Sequence, residues 1–219
     1  MSKTSFNPFK AIEKVLKPKA PGPSLTFKEF HVLEAIELMG REKYVGRVKL
    51  SKELGLGEGV IRTLLKHLKN NNLITINPKK GCKLTGKGEK VYRAISSRIV
   101  GPFEIPKNPI AIGDFNVGVM VRDAAKAVAY GLEQRDVAVK VGALGATTLI
   151  YTKNFLAMPG VDENCFKDNP EIFDLIVSRF TPKEGDVIII GSAQTLEKAK
   201  LGAMAAAFET LKKLYSQAS

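Results

Sequence analysis

The fold of the first half of this chain is decided by residues 55–90, which read GLGEGVIRTLLKHLKNNNLITINPKKGCKLTGKGEK. The first part of this stretch predicts a helix, because its apolar residues recur at the spacing of one helix face: Ile61, Leu64, Leu65 and Leu68. The β-branched run LITI then predicts a strand, NPKKG a turn and CKL a short returning strand. Thr85 is typical of a residue that caps a helix, here one over GKGEKVYRAISSRI.

Further helices are predicted before this stretch. The segment TFKEFHVLEAIELMG offers Thr26 as a cap and has helically spaced apolar residues up to Gly40. The segment GRVKLSKELGLG predicts a shorter helix that ends at Gly55. The resulting order is helix, helix, short glycine turn, helix, two-stranded ribbon and helix. This is the order of a helix-turn-helix followed by a wing.

The motif KLSKELGLGEGVIRTLLKHLKNNNLI…KKGCKLTGKGEKV resembles winged-helix transcription regulators of the MarR and ArsR type. In that pattern a leucine-and-serine stretch enters the second helix, Arg-x-Leu-Leu lies in the recognition helix, and a short ribbon leads to LTxxG. The resemblance covers about 60 residues and implies a DNA-binding domain. Winged helices also serve as protein-interaction modules, so a purely structural role stays open.

The predicted recognition helix has a polar face opposite its leucines, and no carboxylate appears on it after Glu58. Such a face can donate hydrogen bonds to phosphates and to purine edges in a major groove. The candidate DNA-binding residues on this helix are Arg62, Thr63, Lys66, His67, Lys69 and Asn70. A merely solvated basic face is the alternative, and Arg62 could equally form a structural salt bridge.

The predicted wing adds three lysines. Lys79 and Lys80 lie in the turn and Lys83 on the returning strand, where we expect them to contact a phosphate backbone or a minor groove. These contacts would supply affinity rather than sequence choice, because phosphates carry no base information.

The net charge of +12 lies entirely in the first half of the chain. Residues 1–100 contain 21 Lys and Arg against 8 Asp and Glu, whereas residues 101–219 contain 13 against 14. This asymmetry favours a polyanionic partner for the first half. Charge alone would also fit a ribosome-like or membrane-surface role.

Proline-rich breaks suggest the domain boundaries. The segment IVGPFEIPKNP (99–109) disfavours a continuous helix, and KPKAPGPS (17–24) separates a short N-terminal amphipathic stretch from the helix predicted after Thr26. We expect a basic N-terminal arm over 1–25, a winged-helix domain over 26–100 and an α/β domain over 101–219.

Composition indicates a soluble cytoplasmic protein with no membrane partner. No apolar run approaches the ~18–20 residues that span a bilayer, and the N-terminal stretch has no apolar h-region of a secretory signal. Cys82 and Cys165 are far apart and are expected as reduced thiols. We expect His31 to be a half-buried core histidine. No metal-ligand spacing is present, so no metal and no cofactor are expected.

The second half predicts alternating strands and helices. FNVGVMVRD, DVAVKV, TTLIYT and GDVIIIG predict strands, whereas DAAKAVAYGLEQR, NPEIFDLIVSRF and TLEKAKLGAMAAAFETLKKLY predict helices. The order β-α-β-β-α-β plus a C-terminal helix is that of a ferredoxin-like sandwich, so the expected fold class is α+β. The continuous apolar VIII is typical of a strand buried on both faces, although the ferredoxin-like order places that strand at an edge.

No catalytic constellation or nucleotide-binding motif appears in the second half, so we expect no enzyme activity. The glycine loops VGALGATT and GSAQT could let backbone N–H groups approach a ligand, although a tight hairpin and an ordinary helix cap are the plainer explanation. Arg122 and Lys140 lie near this predicted site. The candidate effector-binding residues are Asp114, Asn116, Gly142, Gly145, Thr147, Gly191 and Ser192.

The overall plan resembles archaeal two-domain regulators with an N-terminal winged helix and a C-terminal domain of undetermined role. It implies a DNA-binding transcription regulator that acts on double-stranded DNA. We expect a homodimer that responds to a small-molecule effector. The dimer would form through the small residues of the final helix, unless these residues pack against the sheet of their own subunit. A metabolite-processing enzyme with an accessory winged helix and an RNA-binding protein stay open as alternatives.

Overall fold

The computed structural model describes residues 6–17 and 25–217, and the chain divides into two compact units, Met1–Ser96 and Ser97–Ser219. The first unit contains α1 (Pro8–Leu16), α2 (Glu29–Glu42), α3 (Arg47–Leu54), α4 (Glu58–Asn70), β1 (Ile74–Asn77), β2 (Gly81–Leu84) and α5 (Gly86–Ser96).

Helix α4 buries the leucine stripe that its spacing predicts. Ile61, Leu64, Leu65 and Leu68 are all buried, and α4 packs against α1, α3 and β1. Helix α3 ends where Gly55 takes a left-handed backbone conformation, with φ +62, that side-chain-bearing residues rarely adopt. The helix-turn-helix predicted from the sequence is therefore confirmed.

Helix α2 begins and ends later than predicted. Lys28, not Thr26, is the N-cap residue, and the backbone N–H of Lys28 donates to Nδ1 of His31 over 2.9 Å. Gly40 lies inside the helix rather than after it. A glycine is needed at this position because the ring of Tyr92 on α5 occupies the space that a Cβ would take. This glycine therefore serves close helix packing and does not end the helix.

Residues 6–17 belong to the helical core of the first unit. Helix α1 begins after Asn7, whose side-chain oxygen accepts the N–H of Phe9, and it packs against α2, α4 and α5. Phe9, Ile12 and Val15 are buried there. This part of the expected basic arm is thus a packed helix, whereas residues 1–5 and 18–24 of that arm lie outside the described residues.

The wing is the antiparallel ribbon β1–β2, which pairs from Ile74↔Leu84 to Asn77↔Gly81. Val45, in the segment before α3, adds a short bridge to Cys82 through backbone hydrogen bonds of 2.9 and 2.8 Å. Gly81 permits this contact, because a Cβ there would lie 2.6 Å from the carbonyl oxygen of Val45. The bridge ties the wing to the start of α3.

The second unit is an antiparallel sheet covered by helices. Its elements are β3 (Ile99–Ile105), β4 (Phe115–Val121), a 3-10 turn (Ala125–Ala127), α6 (Leu132–Lys140), β5 (Gly145–Thr152), β6 (Phe155–Ala157), α7 (Pro170–Phe180), β7 (Val187–Ala193) and α8 (Leu196–Gln217). Within the described residues the strand order is β3-β4-β7-β5-β6. The expected fold class, a winged helix-turn-helix followed by an α+β sandwich, is confirmed.

Strand β7 lies in the middle of this sheet, between β4 and β5, and all its residues are buried. Ile188 and Ile190 join a core cluster with Ile176 and Phe180 of α7, whereas α8 packs against the sheet at Gly191. Both faces of β7 are therefore covered, which explains its continuous apolar run. The observed order differs from the ferredoxin-like order, which would place this strand at an edge.

Several predicted elements of the second unit are wrong. The segment DVAVKV is not a strand but lies largely in α6, and DAAKAVAYGLEQR contains only the 3-10 turn and the start of α6. The alternation of valines is misleading, because Gln134 and Ala138, four residues apart, are the buried positions of α6. Nε2 of Gln134 donates to Oγ1 of Thr210 on α8 over 3.0 Å. Strands β3 and β6 were not predicted.

No helix in the described parts of the chain is both long and apolar enough to cross a membrane.

Candidate nucleic-acid interface

A groove of about 670 Å³ lies between α4 and the wing. Its volume is in the range of sites that enclose part of a ligand, about 300–1,000 Å³. Its described lining includes six cationic side chains, called here the groove cations: Arg47, Arg62, Lys66, Lys69, Lys79 and Lys80. No carboxylate is among the described lining residues.

The groove cations form no ion pairs within residues 6–17 and 25–217, where the ion pairs involve other side chains. All six are exposed. Cationic groups that share one concave surface without counter-charges repel one another and create a positive potential. Burial raises the pKa of the Cys82 thiol, so this lining residue adds no negative charge near neutral pH. The groove is therefore arranged to attract an anion.

The structure brings together five of the nine candidate DNA-binding residues in this groove: Arg62, Lys66, Lys69, Lys79 and Lys80. Thr63 and Asn70 lie exposed on α4 outside the groove lining, and Oγ1 of Thr63 donates to the Gly59 carbonyl over 3.2 Å. Lys83 is exposed on β2, also outside the lining.

His67 is placed differently from the other candidates. Its ring is partly buried, and Nδ1 lies 2.7 Å from the carbonyl oxygen of Val15 on α1. The ring of Phe27 packs edge-on against it, with centroids 5.6 Å apart. Because a carbonyl only accepts, Nδ1 carries the proton in this contact. His67 thus fastens α4 to α1 and does not face the groove.

The wing turn is organised by Asn77, a residue that is not among the predicted DNA-binding residues. Its side-chain oxygen accepts the backbone N–H groups of Lys79, at 2.9 Å, and Lys80, at 3.0 Å. Asparagine in this position is typical of an Asx turn, so the letters NPKKG carried the signal. The turn holds both lysines at the tip of the ribbon.

Tyr44 contacts two wing lysines. The Nζ atoms of Lys80 and Lys83 lie 5.7 and 5.6 Å from the centre of its ring. At these distances the ring face attracts both ammonium groups.

Arg47, at the start of α3, lines the groove but is not among the predicted DNA-binding residues. Its place in the groove depends on the bridge between Val45 and Cys82, which no local pattern indicates.

Several side chains of the predicted effector site form hydrogen bonds with other residues of the second unit. Asn116 and Ser192 are paired across β4 and β7 and are 3% and 2% exposed. The hydroxyl of Ser192 donates to Oδ1 of Asn116 over 2.7 Å, and Nδ2 of Asn116 donates to the Gly113 carbonyl over 3.2 Å. Thr147 donates to the Ile110 carbonyl over 2.7 Å. These polar side chains therefore stabilise the end of the sheet.

The remaining candidates of that site serve various local roles. Gly191 lets α8 approach the sheet, and Gly145, next to Ser192 across β5 and β7, has room for a small side chain. Asp114 is exposed and pairs with Lys107 over 3.1 Å. Three further residues lie elsewhere: Gly142 exposed after α6, Lys140 exposed at the end of α6, and Arg122 just beyond β4, at the opposite end of that strand from Asn116.

In the part of the chain that the structure describes, no three His, Cys, Asp or Glu side chains are placed to hold a metal ion together.

Two family models match separate parts of the chain. Residues 26–99 match the family model described as the CggR N-terminal DNA binding domain, and residues 112–211 match a domain of unknown function, DUF4443. The first match is thus to a winged-helix class of DNA-binding domain, and it does not support the MarR or ArsR subtype. No curated protein matches the chain.

Among solved structures, the chain is similar to the hypothetical protein PH0730 from Pyrococcus horikoshii OT3. The two share 28% sequence identity with a TM-score of 0.62, over 85% of this chain and 99% of that chain.

Proposed function

We propose that the protein is a DNA-binding transcription regulator and that its first unit binds double-stranded DNA through the groove between α4 and the wing. The observation that carries this proposal is the set of six groove cations without counter-charges, which lie between a helix and a β-ribbon. The match of residues 26–99 to a DNA-binding domain model supports it.

In this proposal α4 enters the major groove and the wing lies on the adjacent backbone. The guanidinium of Arg62 suits bidentate contact with a guanine edge, and Thr63 and Asn70 are exposed on the same helix for further base contacts. The lysines at the wing tip act as point charges on phosphates. Tyr44 would keep Lys80 and Lys83 on the side of the wing where its ring lies.

For the second unit we propose a regulatory role, with self-association as the simplest form. The small residues of α8 do not serve this purpose, because Gly202, Ala203 and Ala206 are buried within their own unit. An apolar contact surface is offered by three exposed side chains around the Ala193 end of β7: Ile112, Phe115 and Leu144. A regulator that binds two half-sites gains affinity from such a dimer. The proposal includes a small-molecule effector that acts through the second unit, and it assigns no pocket to this effector.

The test is a titration of duplex DNA with the full-length protein and two matched variants, followed by fluorescence anisotropy. Lys66→Gln removes a groove cation, and Lys90→Gln removes an exposed lysine of α5 that does not line the groove. We expect Lys66→Gln to weaken binding and to reduce the slope of log affinity against log salt by ~0.9, the value for one phosphate contact. Lys90→Gln should leave both unchanged. Equal effects of the two substitutions, or no DNA binding by the parent protein, would contradict the proposal.

A further inference from the structure

The groove between α4 and the wing is not lined by charge alone. Between its cations lie apolar side chains, called here the apolar lining: Leu65, Ile76, Pro78 and Cys82. Leu65 and Cys82 are buried and lie at the bottom of the groove, whereas Ile76 is 44% exposed. A surface that only attracted phosphates would need no such patch, because phosphate contacts are ionic and polar.

Ile76 owes its place to the register of the wing. It lies opposite Cys82 in the ribbon, and it is the exposed branched apolar residue of a strand whose residues beyond Ile74 all face solvent. A polar β-branched residue would also suit a strand at this position, because the side chain here is partly exposed. The isoleucine is therefore available to contact a ligand in the groove.

A nucleic-acid strand alternates two chemistries at short spacing, an anionic phosphate and a sugar with carbon-bound hydrogens. In DNA the 2′ position of the sugar is apolar, whereas in RNA it carries a hydroxyl that must keep a hydrogen bond. The apolar lining offers no side-chain oxygen to this hydroxyl. The one side-chain oxygen in the described lining, Oδ1 of Asn77, already accepts the backbone N–H groups of Lys79 and Lys80.

We infer that the groove holds one deoxyribose–phosphate strand of the duplex, with the phosphates on the lysines among the groove cations and the sugars against Ile76 and Pro78. The apolar lining thereby selects DNA over RNA at the sugars that it contacts. A 2′-hydroxyl there would be desolvated against hydrocarbon without an acceptor. This inference rests on the proposed DNA binding and adds to it the chemical class of strand that the site accepts.

The experiment begins with a DNA duplex selected from a random-sequence pool by the full-length protein. A set of duplexes of the same sequence then carries a single ribonucleotide at each position in turn, on either strand, with ribothymidine at the thymidine positions, so that each differs from the parent by one oxygen atom. We expect affinity to fall about fivefold or more at one or two neighbouring positions, as an unsatisfied hydroxyl predicts. At the other positions the affinity should be unchanged.

Two variants of one side chain assign the effect to the apolar lining. Ile76→Thr keeps a β-branched residue on the strand and supplies a hydroxyl that can accept the hydrogen bond, so it should abolish most of the ribonucleotide penalty. Ile76→Val keeps the hydrocarbon surface and should retain the penalty. Both variants are expected to fold, because each keeps a β-branched residue at a position that is 44% exposed, and thermal unfolding checks this.

The outcomes separate the inference from the function on which it rests. A protein that selects no duplex from the pool would overturn the proposed function. A protein that binds the selected DNA but shows no localised ribonucleotide penalty, or whose penalty survives in Ile76→Thr, would overturn the inference alone. Equal affinity for an all-RNA duplex of the same sequence would also overturn it.

Discussion

At the scale of single residues, His31 links a local capping contact to the stability of the first unit. Its side chain is 9% exposed, and its Nδ1 accepts the N–H of Lys28 at the start of α2. Burial, and to a smaller extent the positive charge of Lys28, lower the pKa of His31 from 6.5 to about 4. The histidine that was expected to be half-buried is therefore buried in the core, and its lowered pKa favours the neutral form.

This lowered pKa predicts a pH dependence of folding. Between pH 6.5 and about 4 the unfolded chain binds more protons at His31 than the folded chain, so the free energy of unfolding falls as the pH is lowered through this window. The loss should be on the order of 3 kcal/mol, since one pKa unit corresponds to about 1.4 kcal/mol. Urea denaturation at several pH values measures it. His31→Gln, whose side-chain oxygen can accept the same N–H, should flatten the dependence, and an unchanged slope in that variant would contradict the assignment.

At the scale of elements, the contact between β7 and α8 depends on one glycine. A Cβ at Gly191 would lie 2.5 Å from both the carbonyl oxygen of Ala199 and the backbone N of Ala203. Backbone atoms of a long helix cannot yield as a flexible side chain does, so α8 would have to move away from the sheet. The stripe of small residues on α8 thus serves packing within the unit.

Gly191→Ala is therefore expected to destabilise the protein by at least about 2 kcal/mol, in the range of overpacked cores. Gly145→Ala is the matched control on the neighbouring strand, because its Cβ would meet Arg135 and Ile112 at an ordinary 3.7 Å. The control should change the free energy of unfolding by less than about 1 kcal/mol. Chemical denaturation followed by circular dichroism compares the two. Similar stabilities would mean that α8 does not approach the sheet this closely.

At the scale of the whole molecule, charge and core divide in the same way. The net positive charge lies in residues 1–100, and each of the two units has buried apolar residues of its own. We predict that segment 1–96 alone retains nonspecific affinity for duplex DNA, because this affinity is mainly electrostatic. Segment 97–219, which is nearly neutral, should not bind. Gel-shift titrations of both segments at low salt measure this, and DNA affinity located in the second segment would overturn the proposed division of labour.

The sequence by itself determined the elements whose pattern is strong and local. The leucine stripe of α4, the glycine after α3, the turn residues of the wing and the apolar run of β7 each describe their own environment within a few residues. Five of the groove cations were also identifiable, because helical periodicity places Arg62, Lys66 and Lys69 away from the leucines and the turn residues place Lys79 and Lys80 at the wing tip.

Only the tertiary structure decided which distant segments meet. The bridge from Val45 to Cys82 brings Arg47 into the groove. The hydrogen bond from His67 to the Val15 carbonyl holds this side chain against α1 and away from the groove. In the second unit, most of the segment DVAVKV is helical, and the buried residues of this helix are Gln134, which contacts α8, and Ala138. The position of β7 between β4 and β5 is likewise set by tertiary packing. Periodicity reports which face of a segment is buried, but the partner that buries it is chosen by packing between residues far apart in the chain.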